Sequence, residues 1–380
     1  LFARAGRSLA TAPRGRVVRS AACLLVVPLV LGSVSAFAAT HKASLRKGSL
    51  ITKARCARNA GVGTINFISP YGFDASAGII DVFEAQKLGY FKDLCLKVAI
   101  NTSAFNGQEL VSSGQAQVTG IGSAADAMLS KASGANLVGV ATYGDTDPHA
   151  IITNSSITNL TQLNGQTLGY YTNSTPAVVA MLVKAGANVS SIHFVSLTDY
   201  DPGIVPRGQV AGLQGYASNQ PLTLKAEGLP FNEFTPAQFG IKGTYNIMQF
   251  NGDFLRAHRA VAADFMRADL KALAYCITNK AACVNYLSSL AAAANEGATF
   301  PAAHQLAVWT YESKYITSDK IGGYGVQTVA EWTTEYNEVK QYGSLCGLTS
   351  SDYVQPILNA MDPKLVAGLY KGKTLIWPGT

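Results

Sequence analysis

The sequence predicts an α/β protein of two lobes, each a parallel-rich sheet flanked by helices, joined by a two-strand hinge. Three observations predict it. Strand-like apolar runs alternate with helix-like ones, the pattern of βαβ units and a parallel sheet. A strand–turn–helix unit occurs twice, 94 residues apart: Gly114-Gln115 returns as Gly208-Gln209, Lys131-Ala132 as Lys225-Ala226, and Gly134 as Gly228. Two turn-rich breaks, at 145–149 and 240–245, stand where the chain would pass between the lobes.

Taken in order, residues 64–69 read as a first strand and 77–88 as an amphipathic helix, with Ile79, Val82, Phe83 and Ala85 inward and Gly89 as its stop. A strand over 96–100, a short helix over 108–113 and a strand over 118–121 follow. Gly122 permits a tight turn, and Ser123 is a suitable cap for a helix over 124–133. A helix start at the end of a parallel strand leaves N–H groups facing a crevice, the place where open α/β sheets hold ligands. A strand over 137–141 completes this lobe's βαβαβ run.

The second lobe takes strands over 150–153, 167–171, 192–195 and 212–216. Its helix over 177–185 has Ser174 or Thr175 as cap and Pro176 at the first helical position. The strand 245–250 is the return crossing. A long helix over 254–279 and helices over 284–294, 301–315 and 326–342 then wrap the first lobe. The division is therefore 1–38 as a secretory signal peptide, 39–58 as a basic tail, 59–147 plus 246–380 as lobe 1, and 148–245 as lobe 2.

The leader reading rests on five arginines and no acid in 1–38, an apolar run over 21–38 and the small-residue site Ala36-Phe37-Ala38. The tail 39–58 holds six bases and is expected to be a disordered, solvated spacer. Beyond residue 58 there are 19 Lys+Arg against 23 Asp+Glu, so the formal +7 is a property of the front end, and nothing suggests nucleic acid. An apolar share of 48% assures a sizeable core. Export makes disulfides expected, and the positions favour 56–95 and 276–283 with Cys346 left over. There is no C-x-x-C pair and the five histidines are scattered, so neither metal nor cofactor is expected.

Four segments carry a family resemblance. The run Glu84-Ala85-Gln86-Lys87-Leu88-Gly89-Tyr90-Phe91-Lys92-Asp93 resembles the "A-x-x-x-G-[YF]-F-K" segment of periplasmic solute-binding proteins of ABC importers, in the group that serves thiamine-pyrimidine precursors, nitrate and sulfonates. Ser113-Gly114-Gln115 with its strand and Gly-Ser turn, the stretch 160–170, and Gly208-Gln209-Val210 resemble the same group. Cys95 stands where such proteins usually carry Gly, and Gln117 and Ala211 where an acid is usual. The resemblance implies a type II-like binding-protein fold, a small-molecule ligand between the lobes, and delivery of that ligand to a membrane permease. With the leader, the expectation is an exported protein at the periplasm or outer face of the envelope, working as a monomer.

The resemblance also touches pyrimidine-making enzymes that use a cysteine-rich run, which is missing here. An exported hydrolase using Ser123 is the other enzyme reading, but Gly120-Ile121-Gly122-Ser123-Ala124 is not a G-x-S-x-G elbow, and helix capping explains the serine. The expectation is a binding protein, not an enzyme.

Aromatic and polar residues gather at the expected strand ends: Tyr71, Phe73, Asp74, Ser123, Tyr143, Asp145, Asn173, Ser174, Tyr216 and Asn219. Flat heteroaromatic rings stack between such side chains, and a cation can sit on their faces. No lysine or arginine stands at these ends, so a nitrate or sulfonate would lack the bidentate cation it prefers. The expected ligand is a neutral or amine-bearing heteroaromatic ring, with a small anion such as nitrate or an alkanesulfonate as the alternative.

Overall fold

The computed structural model describes residues 50–102, 106–171, 175–198, 201–316, 322–349 and 357–379. The segment expected to be a signal peptide, most of the expected basic tail, Asn173 and Ser174 lie outside them. No helix among the described residues is long and apolar enough to cross a membrane.

Ten strands build two five-stranded sheets: β1 (Thr64–Ile68), β2 (Lys97–Asn101), β3 (Val118–Ile121), β4 (Leu137–Gly144), β5 (His149–Asn154), β6 (Thr167–Tyr170), β7 (His193–Ser196), β8 (Gly212–Tyr216), β9 (Phe231–Phe234) and β10 (Tyr245–Asn251). The first sheet runs β2-β1-β3-β10-β4 and the second β7-β6-β8-β5-β9. In the first, β1 is parallel to β2 and β3, while β10 returns antiparallel between β3 and β4. In the second, β6 is parallel to β7 and β8, while β5 lies antiparallel between β8 and β9. The two plans coincide, and the 94-residue echo carries β3 onto β8, its topological counterpart. Each sheet borrows its fourth strand from a segment that has just crossed from the other.

Local chemistry sets the element ends. Ser123 Oγ accepts the Asp126 N–H at the start of helix Ala124–Ala132. Thr175 caps helix Pro176–Lys184, with Pro176 at its first position. The helix Ile80–Lys87 and the strands of the first sheet pack on helix Arg259–Thr278, where Phe265 stacks on Phe91 at 5.0 Å and meets Phe250 edge-on at 5.6 Å. Disulfides join Cys56 to Cys95 and Cys276 to Cys283; Cys346 is in neither. Cys95 has φ of 56°, a left-handed conformation that favours glycine, the residue the resemblance led one to expect there.

Three expectations need correction. The basic tail is not a spacer throughout: Lys53–Gly61 is a helix capped by Thr52. Arg55 reaches Asp264 through two bonds of 2.9 and 2.5 Å, and Asn59 donates to the same carboxylate at 2.7 Å. The partner lies 209 residues away, which no local reading of the tail could supply. The long helix 254–279 is two helices, Gly252–Ala257 and Arg259–Thr278, because His258 leaves the helical conformation (φ −130°, ψ 36°). The C-terminal helices do not serve the first sheet alone. Val329–Tyr342 buries Trp332 beside Ile247 of the first sheet but sends Tyr342 into the second sheet's core.

Candidate functional site

Helix Ala302–Ile316 connects the rims of both sheets. Its Trp309 anchors it in the first core, donating to the Cys276 carbonyl at 2.9 Å. One turn on, Glu312 is buried, and its Oε2 accepts the Ser76 hydroxyl at 2.8 Å. Tyr245 and Ser218 also bond to this carboxyl. Ser76 is held in turn by Asn246, whose Nδ2 donates to its Oγ at 2.7 Å. Gln305 accepts the Ala75 N–H at 2.5 Å and bonds to Asp74. On the second sheet's side, His304 Nε2 lies 2.9 Å from Asn219 Oδ1. One helix therefore ties residues 74–76 to residues 218–219.

Beside it is a cavity of about 70 Å³, lined among others by Asp147, Ser218, Tyr245, Tyr311, Glu312 and Tyr315. A water needs roughly 10–15 Å³ of such space, so the cavity holds several waters or one small ring. The rings of Tyr311 and Tyr315 lie 5.2 Å apart. Among the described residues, no lysine or arginine lines it. Burial, with Asp74 adding repulsion, pushes the Glu312 carboxyl up to about 8, and burial raises Asp74 to about 6.

A second group of side chains lies next to it. Tyr71 and Tyr216 are hydrogen-bonded through their hydroxyls. Both close on Gly122, where a Cβ would stand 2.7 Å from the Tyr216 hydroxyl and 3.2 Å from Asp126 Oδ2. Ser123 donates to Asp126 Oδ2 at 2.9 Å. His149 packs against the Tyr216 ring at 5.1 Å, and its Nδ1 lies 2.8 Å from Asp147 Oδ1, which also accepts the His149 N–H. Burial works against a charged imidazole here, but Asp147, Asp126 and Glu335 outweigh it and hold His149 above the ordinary histidine range. Burial raises the Asp126 carboxyl, with Asp147 adding to it.

The head of helix Ala124–Ala132 does not stand open, contrary to expectation. The Ala124 N–H donates to Thr244 Oγ1 at 2.8 Å and the Ala125 N–H to Glu335 Oε2 at 2.6 Å. The other Glu335 oxygen accepts the Thr244 N–H. Burial, with Asp147 nearby, pushes this carboxyl up to about 8.

Of the residues singled out from the sequence, Tyr71, Asp74, Ser123, Tyr216 and Asn219 come together around this region. Asp145 is half-buried in the first crossing and faces the Glu331 carboxylate. Tyr143 and Phe73 are elsewhere. Tyr143 is buried in the first core, donating to Asp269 Oδ2 at 2.7 Å, and Phe73 packs on Phe83 and Phe300. Asn173 and Ser174 lie outside the described residues. The sequence reading missed Tyr311, Glu312, Tyr315 and Glu335, all from C-terminal helices. Their one local signal is a glutamate interrupting an apolar helical face, as Glu312 does next to Trp309 and Ile316. The described residues hold one group with metal-ligand spacing, Glu84 with Cys276 and Cys283, and its two sulfurs are joined in a disulfide.

No curated protein matches the chain in sequence. Its fold is similar to that of the alkanesulfonate-binding protein SsuA from Xanthomonas axonopodis pv. citri bound to MOPS, with TM-score 0.58 and 14% identity over 79% of this chain and 98% of that one. It is also similar to the periplasmic aliphatic sulphonate binding protein SsuA from Escherichia coli, with TM-score 0.57 and 12% identity over 77% and 92% of the two chains. A Candida albicans gene product, CA3427, said to exhibit the generic periplasmic binding protein structural fold, superposes with TM-score 0.55 and 16% identity over 83% and 98%. The chain has the periplasmic binding protein fold. The family model described as NMT1/THI5 like matches residues 76–282, more than half of the chain, and the chain belongs to that family.

Proposed function

We propose that this protein is an exported solute-binding protein that closes two lobes, 59–147 plus 246–380 and 148–245, on a small nitrogen-containing heteroaromatic ligand and passes it to an ABC-type permease. The observation that carries the reading is the cavity beside helix Ala302–Ile316. It offers tyrosine rings, the carboxyls of Asp147 and Glu312, and no cationic side chain among the described residues. A ring stacks on tyrosine, an exocyclic amine donates to a buried carboxyl at a gain of about 1 kcal/mol, and a protonated ring nitrogen, which holds that carboxyl ionised, gains roughly 1.5–3 kcal/mol. The protein works as a monomer and performs no catalysis: Ser123 is engaged as a helix cap with Asp126.

A second reading, a binder of nitrate or an alkanesulfonate, is favoured by the likeness in fold to the two sulfonate-binding proteins. Against it stand Asp74, Asp126, Asp147, Glu312 and Glu335, clustered around His149 with no lysine or arginine lining the cavity among the described residues. A thermal-shift screen over pyrimidines, purines, flavins, amino acids, sulfonates and nitrate separates the two, with native mass spectrometry for a co-purifying molecule. The proposed function expects stabilisation by aminated rings; stabilisation by the small anions alone would overturn it.

A further inference from the structure

The first-turn N–H groups of helix Ala124–Ala132 form a seat that the chain fills from within. Each Glu335 oxygen accepts a different backbone N–H, one from Ala125 in the helix and one from Thr244 in the segment leading into β10. The neighbouring Ala124 and Asp126 N–H groups are taken by Thr244 Oγ1 and Ser123 Oγ. Glu335, Ser123 and Thr244 are all buried, at 2%, 2% and 1% exposure. Two oxygens on one centre, each meeting a converging N–H and one of these at a helix head, is how a carboxylate, sulfonate or nitrate binds without a cationic side chain. Here the two oxygens belong to Glu335, which is delivered from helix Val329–Tyr342, some 210 residues along the chain. The seat adjoins the cleft: Gly122, two residues before Ala124, faces the hydroxyls of Tyr216 and Tyr71.

We propose that Glu335 is a specificity-determining residue, an internal carboxyl that occupies the helix-head seat beside the cleft and thereby excludes sulfonates, nitrate and free carboxylates. The inference rests on the solute-binding reading of the cleft. It goes further in assigning the rejection of anions to a single side chain. Both a charged and a protonated Glu335 fill the seat, so the exclusion is steric as well as electrostatic.

The test is chemical rescue. Wild type, Glu335→Ala, Glu335→Gln and the control Glu331→Ala are melted with sodium acetate, ethanesulfonate or nitrate against sodium chloride at equal ionic strength. Glu331 sits on the same helix and closes its capping box with Thr328, so Glu331→Ala costs stability without opening the seat. The expected result is that acetate and ethanesulfonate raise the melting temperature of Glu335→Ala over the chloride control. They leave wild type and Glu331→Ala unchanged, and Glu335→Gln, which still fills the space, gains little. Calorimetry then gives ethanesulfonate at least roughly tenfold tighter binding to Glu335→Ala than to wild type, about 1.4 kcal/mol. Wild type that binds ethanesulfonate as tightly as the variant overturns the proposal, and so does a Glu335→Ala protein, folded by circular dichroism, that responds to every salt as to chloride. If Glu335→Ala does not fold, ethanesulfonate binding by wild type or by Glu335→Gln equal to that of an aminated ring decides against it, and indifference of both supports it. A failure of the solute-binding reading looks different, since wild type would then respond to no aminated ring while the anion response of Glu335→Ala stays readable.

Discussion

The hydroxyl of Tyr143 donates to Asp269 Oδ2 at 2.7 Å in the core of the first sheet. Asp81 lies against the same pair, fully buried. Burial and the neighbouring Asp269 push the Asp81 carboxyl well up, while Asp269 is raised to about 6 by burial. Burial beside a second carboxyl therefore favours the protonated form of Asp81, and Tyr143 donates the hydrogen bond that Asp269 Oδ2 accepts. Tyr143→Phe leaves a buried acceptor short of a donor and should cost about 1–3 kcal/mol in denaturant unfolding. Binding in the cleft should not change in this variant, because the hydroxyl faces the core.

Buried acids give the apoprotein a pH signature. Asp74 at about 6, and Glu312 and Glu335 at about 8, all stand above the ordinary carboxyl range. Between the unfolded and the folded values, the folded chain binds more protons than the unfolded chain, so stability falls as pH rises. The melting temperature should decline from about pH 5 to about pH 8, by the equivalent of a kcal/mol or more per group. Glu312→Gln should flatten the decline. A melting curve that rises across this window contradicts it.

The disulfides close loops of different size, with sequence separations of 39 for Cys56–Cys95 and 7 for Cys276–Cys283. Chain-entropy reasoning assigns about 4 kcal/mol to the first and about 2.5 kcal/mol to the second. Paired-serine variants should lose stability in that order in urea. At Cys95 the φ of 56° adds a further test. With Cys56→Ser in place, Cys95→Gly should be more stable than Cys95→Ser by about 1 kcal/mol, because glycine adopts this conformation without a Cβ clash.

Arg55→Ala should be costlier than its place in a basic tail suggests. It removes two bonds from an Asp264 carboxylate only 3% exposed, leaving Arg58, Asn59 and the more distant Arg267, at 3.7 Å, to hold it. Breaking such a buried pair costs on the order of 3 kcal/mol, which chemical denaturation would register. A loss below about 0.5 kcal/mol, the range of an ordinary surface change, would contradict this account of the clasp.

Features that depend on neighbours in sequence were legible from the chain. Ser123 and Thr175 cap the helices they precede, and the Gly114-Gln115 and Gly208-Gln209 echo marks two strands that hold equivalent places in their sheets. The site was half legible for the same reason. Tyr71, Asp74, Ser123, Tyr216 and Asn219 sit at strand ends, and strand ends can be read. Tyr143 also ends a strand, but which face of β4 meets helix Arg259–Thr278 depends on Asp269, 126 residues away. Glu312 and Glu335 meet their partners at separations of 236 and 210 residues, and nothing near either glutamate shows which backbone or hydroxyl it will meet.

On the proposed reading, a carboxyl-lined cleft selects an amine-bearing ring over an anion. The most direct measurement is calorimetric titration of wild type and Glu312→Gln with the best aminated ring from the screen and with ethanesulfonate. Micromolar binding of the ring to wild type is expected, about −8 kcal/mol, weakened roughly tenfold or more in Glu312→Gln, since a protonated ring holds the Glu312 carboxyl in its ionised form and glutamine cannot supply that charge; ethanesulfonate should give no heat. Micromolar ethanesulfonate binding that is indifferent to Glu312, with no heat from any aminated ring, would contradict it.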